Sequence, residues 1–155
     1  MIGSLDDDEL MALHHYWLSR AAGRQVPLRS KVLPEEMGAH LHRLALLEVS
    51  FEQPFFHFRL AGATAQAVFG SHVAGKPLEA VEPKAQASAL IELCQAVVLE
   101  EQPQVREIAL KQGLRRFTYR AMALPMTADG ERVDRVLLAV NWDKDQAPLA
   151  QSVIG

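Results

Sequence analysis

Six histidines and a single cysteine are the first side chains of this 155-residue chain to consider as ligands of a transition metal, and the cysteine also as a nucleophile. His14 and His15 are neighbours on a predicted helix, and adjacent helical residues do not face each other. His40 and His42 would share a face if both lay on a strand, but a structural zinc site needs two more ligands. The pattern therefore indicates surface or half-buried histidines, and we predict no metal site.

The cysteine lies within an apolar helical pattern. Cys94 follows Leu90 and precedes Val97 and Val98 at helical spacing. A buried free cysteine packs as a small hydrophobe, and burial raises the pKa of its thiol, which makes it inert. No phosphate-binding loop, nucleophile elbow or metal motif occurs in the sequence. We predict from this that the chain is not an enzyme.

Composition narrows the class of protein further. The formal net charge of −3 argues against a general nucleic-acid surface, and the basic cluster of Arg115, Arg116 and Arg120 is interpreted as a solvated strand edge. One cysteine excludes an intramolecular disulfide and fits a reducing compartment. The N-terminus is acidic, unlike a secretory signal, and no apolar run approaches the ~20 residues of a membrane helix. We predict a soluble cytoplasmic protein with no nucleic-acid or membrane partner.

The helices and strands predicted to hold these side chains are grouped along the sequence. An amphipathic helix over 6–22, capped by Ser4 or Asp6, is predicted first. The predicted elements that follow are a short helix over 34–39, strands over 41–49 and 55–61, a short helix over 64–69, a long helix over 84–101, and strands over 104–111, 115–124 and 132–142. Runs of strands interrupted by runs of helices indicate an α+β fold with an antiparallel sheet, and periodicity alone leaves several such folds open.

Three stretches in order carry a family resemblance. They read YWLSRAAGRQVPLRSKVLPEEMGAHLHRLALLEV, RLAGATAQAVFGSHVAGKPL and LPMTADGERVDRVLLAVNW. Together they resemble the small bacterial PAS domain family over residues 16–142. The resemblance implies a PAS-like five-stranded antiparallel sheet in the order 2-1-5-4-3, with helices on one face and an additional N-terminal amphipathic helix. The predicted boundaries are the N-terminal helix over 1–24, the PAS-like domain over 25–146 and a C-terminal tail over 147–155.

The resemblance raises the question of a bound cofactor. Haem usually needs an axial histidine on the long helix or the strand after it, and residues 84–119 contain none. Photoactive flavin versions of the fold carry an Asn-Cys-Arg-Phe motif after the second strand, where residues 64–70 of this chain have no cysteine. We therefore predict that the chain carries no cofactor.

What remains is an apolar pocket with a few polar groups, the usual composition of a small-ligand site. Tyr119 is singled out because a buried phenol needs a hydrogen-bond partner, which a ligand or the backbone could supply. The face of the strand on which it lies stays open at this stage. The predicted ligand-binding residues are Phe56, Phe58, Leu60, Phe69, Leu90, Cys94 and Tyr119. The same side chains could instead simply fill the core.

The N-terminal helix has an apolar stripe that must be buried. Leu10, Leu13 and Trp17 lie on it at helical spacing. The stripe could cover the chain's own sheet or pair with the same helix of a second copy. Since a helix before the core commonly pairs in PAS proteins, the resemblance favours a homodimer with these three residues at the dimer interface.

The resemblance implies a stand-alone sensory or protein-interaction domain of a bacterial regulatory pathway, which binds a small apolar ligand and acts through a signalling partner without catalysis. Two alternatives stay open. A small α+β pocket enzyme or ligand carrier with a cone-like fold would need an acid/base pair inside its pocket, and none can be assembled from the predicted inward positions. A ligand-free interaction module would instead have a solid core.

Overall fold

The computed structural model describes residues 6–143. Five strands form one antiparallel sheet in the order β2-β1-β5-β4-β3, which confirms the predicted fold and strand order. The alternative cap Ser4 and the predicted tail over 147–155 lie outside the described residues.

The helices and strands follow the predicted order. The helices are α1 (Asp8–Ala21), α2 (Ala63–Phe69) and α3 (Lys84–Glu100). The strands are β1 (Leu44–Val49), β2 (Phe56–Ala61), β3 (Gln104–Gln112), β4 (Arg115–Thr127) and β5 (Val133–Asn141). Short 3₁₀ segments cover Arg29–Lys31, Pro34–Arg43 and Leu78–Ala80.

The segment before β1 differs from the prediction. A strand was expected from residue 41, but Pro34–Arg43 winds as 3₁₀ turns and β1 begins only at Leu44. Pro34 is well placed at the start of this segment, because its missing N–H would have no partner in a first turn. His40 and His42 therefore lie on helical turns and do not share the face of a strand.

The sheet has an apolar core on each of its two faces. The inner core lies between the sheet and the helices α2 and α3, and it includes Phe58, Leu90 and Tyr119. The outer core lies beneath α1, where Leu10, Leu13 and Trp17 pack with side chains of β4 and β5. The central strands are consequently apolar on both faces, as a sheet covered on two sides requires.

A bulge in β2 changes which side chains face the inner core. Leu47 of β1 pairs with Phe58, but Leu46 pairs with Leu60, so Arg59 is an extra residue. Side chains alternate along a strand, and one extra residue reverses that alternation. Phe58 consequently faces the inner core, whereas Leu60 points to the other side of the sheet and is 51% exposed.

Candidate functional site

Among the residues that the structure describes, one pair of hydrogen-bonded polar side chains lies in the inner core. The Tyr119 hydroxyl donates to Oε1 of Gln86 over 2.5 Å, and both side chains have no exposed surface. The Gln86 amide nitrogen donates to the carbonyl oxygens of Val68, over 3.1 Å, and Glu82, over 2.8 Å. These three contacts fix the orientation of the amide, since its nitrogen meets two acceptors and its oxygen meets the phenol. The bond between Gln86 and Tyr119 joins α3 to β4, and the bond from Gln86 to Val68 joins α3 to the end of α2.

The Gln86 side chain was not predicted to be part of the site. A glutamine is usually exposed, but the Gln86 side chain is completely buried. Its position carried the signal, because Gln86 precedes Leu90 and Cys94 by four and eight residues and shares their helix face. Tyr119 faces the inner core, which settles the orientation that the sequence left open.

Five other predicted lining residues also meet in the inner core. Phe56, Phe58, Phe69, Leu90 and Cys94 are all buried there. The rings of Phe58 and Phe69 lie 5.6 Å apart in a tilted arrangement, so β2 and α2 are in direct contact. The prediction for Leu60 is wrong, because the bulge at Arg59 turns its side chain out of this core. Whether the six inward residues bind a ligand stays a prediction.

Burial suppresses the acid–base chemistry of this region. Desolvation raises the pKa of the Cys94 thiol and of the Tyr119 phenol far above neutrality. Cys94 therefore remains a thiol and Tyr119 remains a hydrogen-bond donor at physiological pH. Within residues 6–143, no group of three or more His, Cys, Asp or Glu side chains is placed to hold a metal ion.

A row of aromatic rings leads from the polar pair to the end of the sheet. Tyr119 stacks on Phe117 with ring centroids 5.9 Å apart. Phe117 in turn meets the edge of Trp142 at 5.5 Å, immediately after β5. A change at the Gln86–Tyr119 contact would therefore alter the surroundings of the Trp142 ring, whose fluorescence is a natural reporter of the inner core.

On the opposite face, a buried carboxylate anchors the start of α1. Asp7 caps the helix by accepting from the Leu10 backbone N–H at 3.0 Å, so the cap is neither of the two predicted residues. The same carboxylate accepts from Nε of Arg120 at 2.6 Å and from the Asn141 amide at 2.9 Å. Burial by itself would raise the pKa of Asp7, but the hydrogen bonds from Leu10, Asn141 and Arg120 outweigh it and hold that pKa below its ordinary value. Asp7 consequently ties α1 to β4 and β5 as a carboxylate.

The residues predicted for a dimer interface are buried within one chain. Leu10 and Leu13 are at most 1% exposed, and Trp17 donates its indole N–H to the Pro125 carbonyl at 2.8 Å. The apolar stripe therefore covers the chain's own sheet, which was the first of the two alternatives. A dimer through these three side chains would require α1 to leave the sheet.

The histidines near α1 make local contacts. The His14 ring stacks on Trp17 with ring centroids 6.3 Å apart. Burial is the main cause of the lowered pKa of His14, and the charge of His15 lowers that pKa further. Nδ1 of His40 lies 3.2 Å from the carboxylate of Glu9. His42 bonds to the Thr64 hydroxyl at 2.6 Å, and burial is the main cause of its lowered pKa. The contacts of His40 and His42 connect the 3₁₀ segment to α1 and α2.

A small surface pocket lies at the margin of the inner core, because Val26 and Val133 both line it and belong to that core. Its volume is about 90 Å³, and it lies between the β4–β5 turn and the residues that follow α1. Arg24 and Arg132 line it together with Glu101 and Glu131, so its walls carry balanced charge. The Arg24 guanidinium donates to the Gly130 carbonyl at 3.0 Å. The predicted lining residues are not part of this pocket.

The strand order and the helices on the inner face define the α+β fold of PAS sensory domains. The family model for the PAS domain matches residues 5–140, and the chain belongs to this family. The match begins before α1 and therefore includes it. Members of the family are sensory domains and are generally not catalytic. No curated protein sequence matches the chain.

Solved structures with the same fold have diverged far in sequence. The PAS domain of BvgS from Bordetella pertussis aligns with a TM-score of 0.51 at 14% identity, over 77% of this chain and 93% of that chain. A PAS domain from Colwellia psychrerythraea aligns with a TM-score of 0.50 at 11% identity, over 72% and 97%. A light-oxygen-voltage domain, described in work on a flavin analogue, aligns with a TM-score of 0.53 at 11% identity, over 77% and 89%. These similarities support the fold alone.

None of the helices within residues 6–143 combines the length and hydropathy needed to cross a bilayer.

Proposed function

We propose that this chain is a non-catalytic sensory domain of a bacterial regulatory pathway, acting in the cytoplasm as a homodimer and passing its signal to a partner protein. The main support for a sensory function is the buried hydrogen bond between Gln86 and Tyr119, which lies among apolar side chains. A polar contact between two elements can be exchanged for a contact with a ligand, whereas purely apolar packing offers no specific exchange.

The chemistry of the inner core defines the class of ligand. The side chains packed there are aromatic and aliphatic, and the polar atoms of the pair belong to one amide and one phenol. An ionised group would lose its hydration there without gaining an opposite charge, which costs several kcal/mol or more. The ligand is therefore a small neutral molecule that is mostly apolar and carries one hydrogen-bonding group to replace the partner of Gln86 or Tyr119.

The sheet supplies a route for the signal. Tyr119 faces the inner core, while the next residue of β4, Arg120, faces outward and bonds to Asp7 at the start of α1. A shift of β4 at Tyr119 would therefore displace the anchor of α1, and the aromatic row would carry it to Trp142. A ligand drives such a change only by the difference in its affinity for the two arrangements.

Fluorescence of Trp142 tests the proposal. Neutral apolar compounds that carry one amide, phenol or ketone would be titrated into the wild type, and into Gln86→Leu and Trp142→Phe variants. We expect saturable quenching with one or more compounds, weaker binding to Gln86→Leu, and loss of the response in Trp142→Phe. Compounds that bind the wild type and Gln86→Leu equally would contradict the role of the polar pair.

A second candidate function is an interaction module without a ligand. It is favoured by one observation, namely that the polar atoms of Gln86 and Tyr119 already satisfy each other in this structure. Such a module would show no saturable response to any compound, and its function would depend on surface residues alone.

A further inference from the structure

The two edge strands of the sheet, β2 and β3, differ in how their outward backbone groups are covered. At the β2 edge, the Phe58 N–H donates to the Lys76 carbonyl at 2.9 Å, and the Gly75 N–H donates to the Phe58 carbonyl at 2.7 Å. His57 also forms a bridge with Pro77, so the loop at 75–77 covers this edge. The bulge at Arg59 makes the strand irregular as well. Covering loops and bulges are the usual means by which proteins prevent unwanted strand pairing.

The β3 edge has neither protection. β3 pairs with β4 over nine consecutive residues without a shift in register, and it contains no proline. Among residues 6–143, no backbone hydrogen bond reaches β3 from the side away from β4. Alternate residues of an edge strand direct their N–H and C=O groups outward. A long, regular edge of this kind is a template for another strand.

Charges of opposite sign lie at the two ends of β3. Glu100 and Glu101 precede the strand, whereas Lys111 is its last residue but one, and Arg115 and Arg116 follow across the turn. Within the described chain, none of these five groups forms an ion pair. Lys111 is even paired directly with Arg116, and like charges in that position are destabilising. The strand therefore runs from an acidic end to a basic end.

Within residues 6–143, the two most exposed large apolar side chains lie at the same two ends. Leu99 is 83% exposed in the last turn of α3, seven residues after Glu92 and on the same helix face. That face borders β3, because Glu92 bonds to Arg106 at 2.8 Å. Leu114 is fully exposed at the tip of the β3–β4 turn. Neither side chain contributes to the two cores of the chain.

From these observations we propose that β3 is a homodimer interface, in which the β3 strands of two copies pair antiparallel about a two-fold axis near Ile108. This arrangement joins the two sheets into one of ten strands. It sets the basic end of each β3 beside the acidic end of the other, and it brings each Leu114 towards the Leu99 of the second copy. A two-fold interface of this kind is self-complementary, which is how soluble homodimers usually close.

The register about Ile108 is free of charge conflict. It sets Lys111 opposite Val105, Arg106 opposite Leu110, and Glu107 opposite Ala109 of the second copy. An acidic peptide from another protein would find the basic end attractive, but Glu107 and the acidic residues before β3 would repel it. A second copy satisfies both ends, and for this reason it is the occupant that we favour. The proposal names the surface of the homodimer proposed above and rests on that part of the proposed function.

Reversing the charges at one end of β3, or at both ends together, tests whether the acidic and basic ends attract each other across the dimer. Sedimentation equilibrium at low salt would compare the wild type with Lys111→Glu/Arg116→Glu, with Glu100→Lys/Glu101→Lys, and with all four changes in one chain. We expect each double variant to dimerise about tenfold more weakly or worse, and the fourfold variant to recover most of the loss. The control Lys76→Glu/Lys84→Glu changes charge by the same amount as the first variant but away from β3, and dimerisation should be unchanged. A dimer that is indifferent to all reversals would overturn the β3 interface but not the homodimer.

Cross-linking tests the register. Cys94 is fully buried, so a new surface cysteine is the only reactive one expected among the described residues. Ala109→Cys places two thiols diagonally across the axis, within reach of a short bismaleimide, and should give a covalent dimer. Ala74→Cys, near the β2 edge, should not. Cross-linking at position 74 alone, or a wild type that stays monomeric, overturns the proposal. A monomer whose outward β3 amides are protected from hydrogen exchange would assign the edge to another segment of the chain and overturn it as well.

Discussion

At the scale of single residues, the inner core depends on the satisfaction of one amide and one phenol. Gln86 uses its nitrogen for two backbone carbonyls and its oxygen for Tyr119, so no polar atom of the pair is left over. A buried polar atom without a partner costs roughly 1–3 kcal/mol, which exceeds the net gain from most hydrogen bonds. The pair is therefore sensitive to the loss of either member.

Removal of the phenol oxygen should destabilise the fold. Tyr119→Phe leaves Oε1 of Gln86 buried without a donor, and we expect the free energy of unfolding to fall by about 1–3 kcal/mol. Gln86→Leu should cost at least as much, because it also leaves the Val68 and Glu82 carbonyls unpaired. Urea denaturation of both variants and the double variant forms a mutant cycle. Since the two residues share one contact, the double variant should cost less than the sum of the two. Strict additivity would mean that the hydrogen bond is absent in solution.

Asp7 links the stability of the protein to acid pH. Its pKa is lower in the folded chain than its ordinary value, so the unfolded chain binds more protons in acid. The stabilisation is therefore complete above the ordinary value of 3.8 and is lost as the pH falls through the lower, folded value. Asp7→Asn should be less stable than the wild type at pH 7, with a difference that shrinks below about pH 4. The matched control Asp8→Asn removes an exposed charge one residue later and should show little of this dependence. A difference between wild type and Asp7→Asn that is independent of pH would rule out the ionised anchor.

At the scale of elements, α1 is part of the folded domain. It closes the outer core, and Trp17 both packs there and bonds to β4 at Pro125. The family match also includes the helix. A helix that completes a core in this way differs from one that exists only to bind a second copy.

A charged substitution on the buried face of α1 separates these two cases. Leu13→Asp introduces an unpaired carboxylate into the outer core, and we expect the free energy of unfolding to fall by roughly 3 kcal/mol or more at every protein concentration. The control Leu18→Asp lies on the same helix but is 49% exposed, and should change stability little. If Leu13→Asp gave a stable, folded monomer from a wild-type dimer, α1 would be the dimer interface.

Local detail marks the limit of sequence-based prediction for this molecule. The fold was available from the resemblance, and most inward positions of β2, α2 and α3 followed from their apolar periodicity. Leu60 was misplaced because one extra residue at Arg59 reverses the strand alternation, and nothing in the residue types announces a bulge there. Gln86 is buried despite its polar type, because it precedes Leu90 by four residues and shares its helix face. The 3₁₀ turns before β1 do not follow from the sequence pattern, because Leu41 continues the apolar run of β1 towards the N-terminus although the strand begins only at Leu44.

At the scale of the whole molecule, one sheet separates two cores, and adjacent residues of β4 belong to opposite sides. Tyr119 faces the inner core and donates a hydrogen bond to Gln86, whereas Arg120 faces outward and bonds to Asp7 at the start of α1. This arrangement allows an event in the interior to reach the surface through the displacement of a single strand. The exposed β3 edge would then bring two such units together.

Native mass spectrometry of the freshly purified protein tests the sensory claim most directly. We expect a species heavier than the sequence by the mass of one small neutral molecule per chain, strongly reduced in the Gln86→Leu/Tyr119→Phe double variant and retained in the exposed control Leu18→Asp. A wild type that carries no added mass and takes up no compound would contradict a ligand-sensing core and leave the domain as an interaction module.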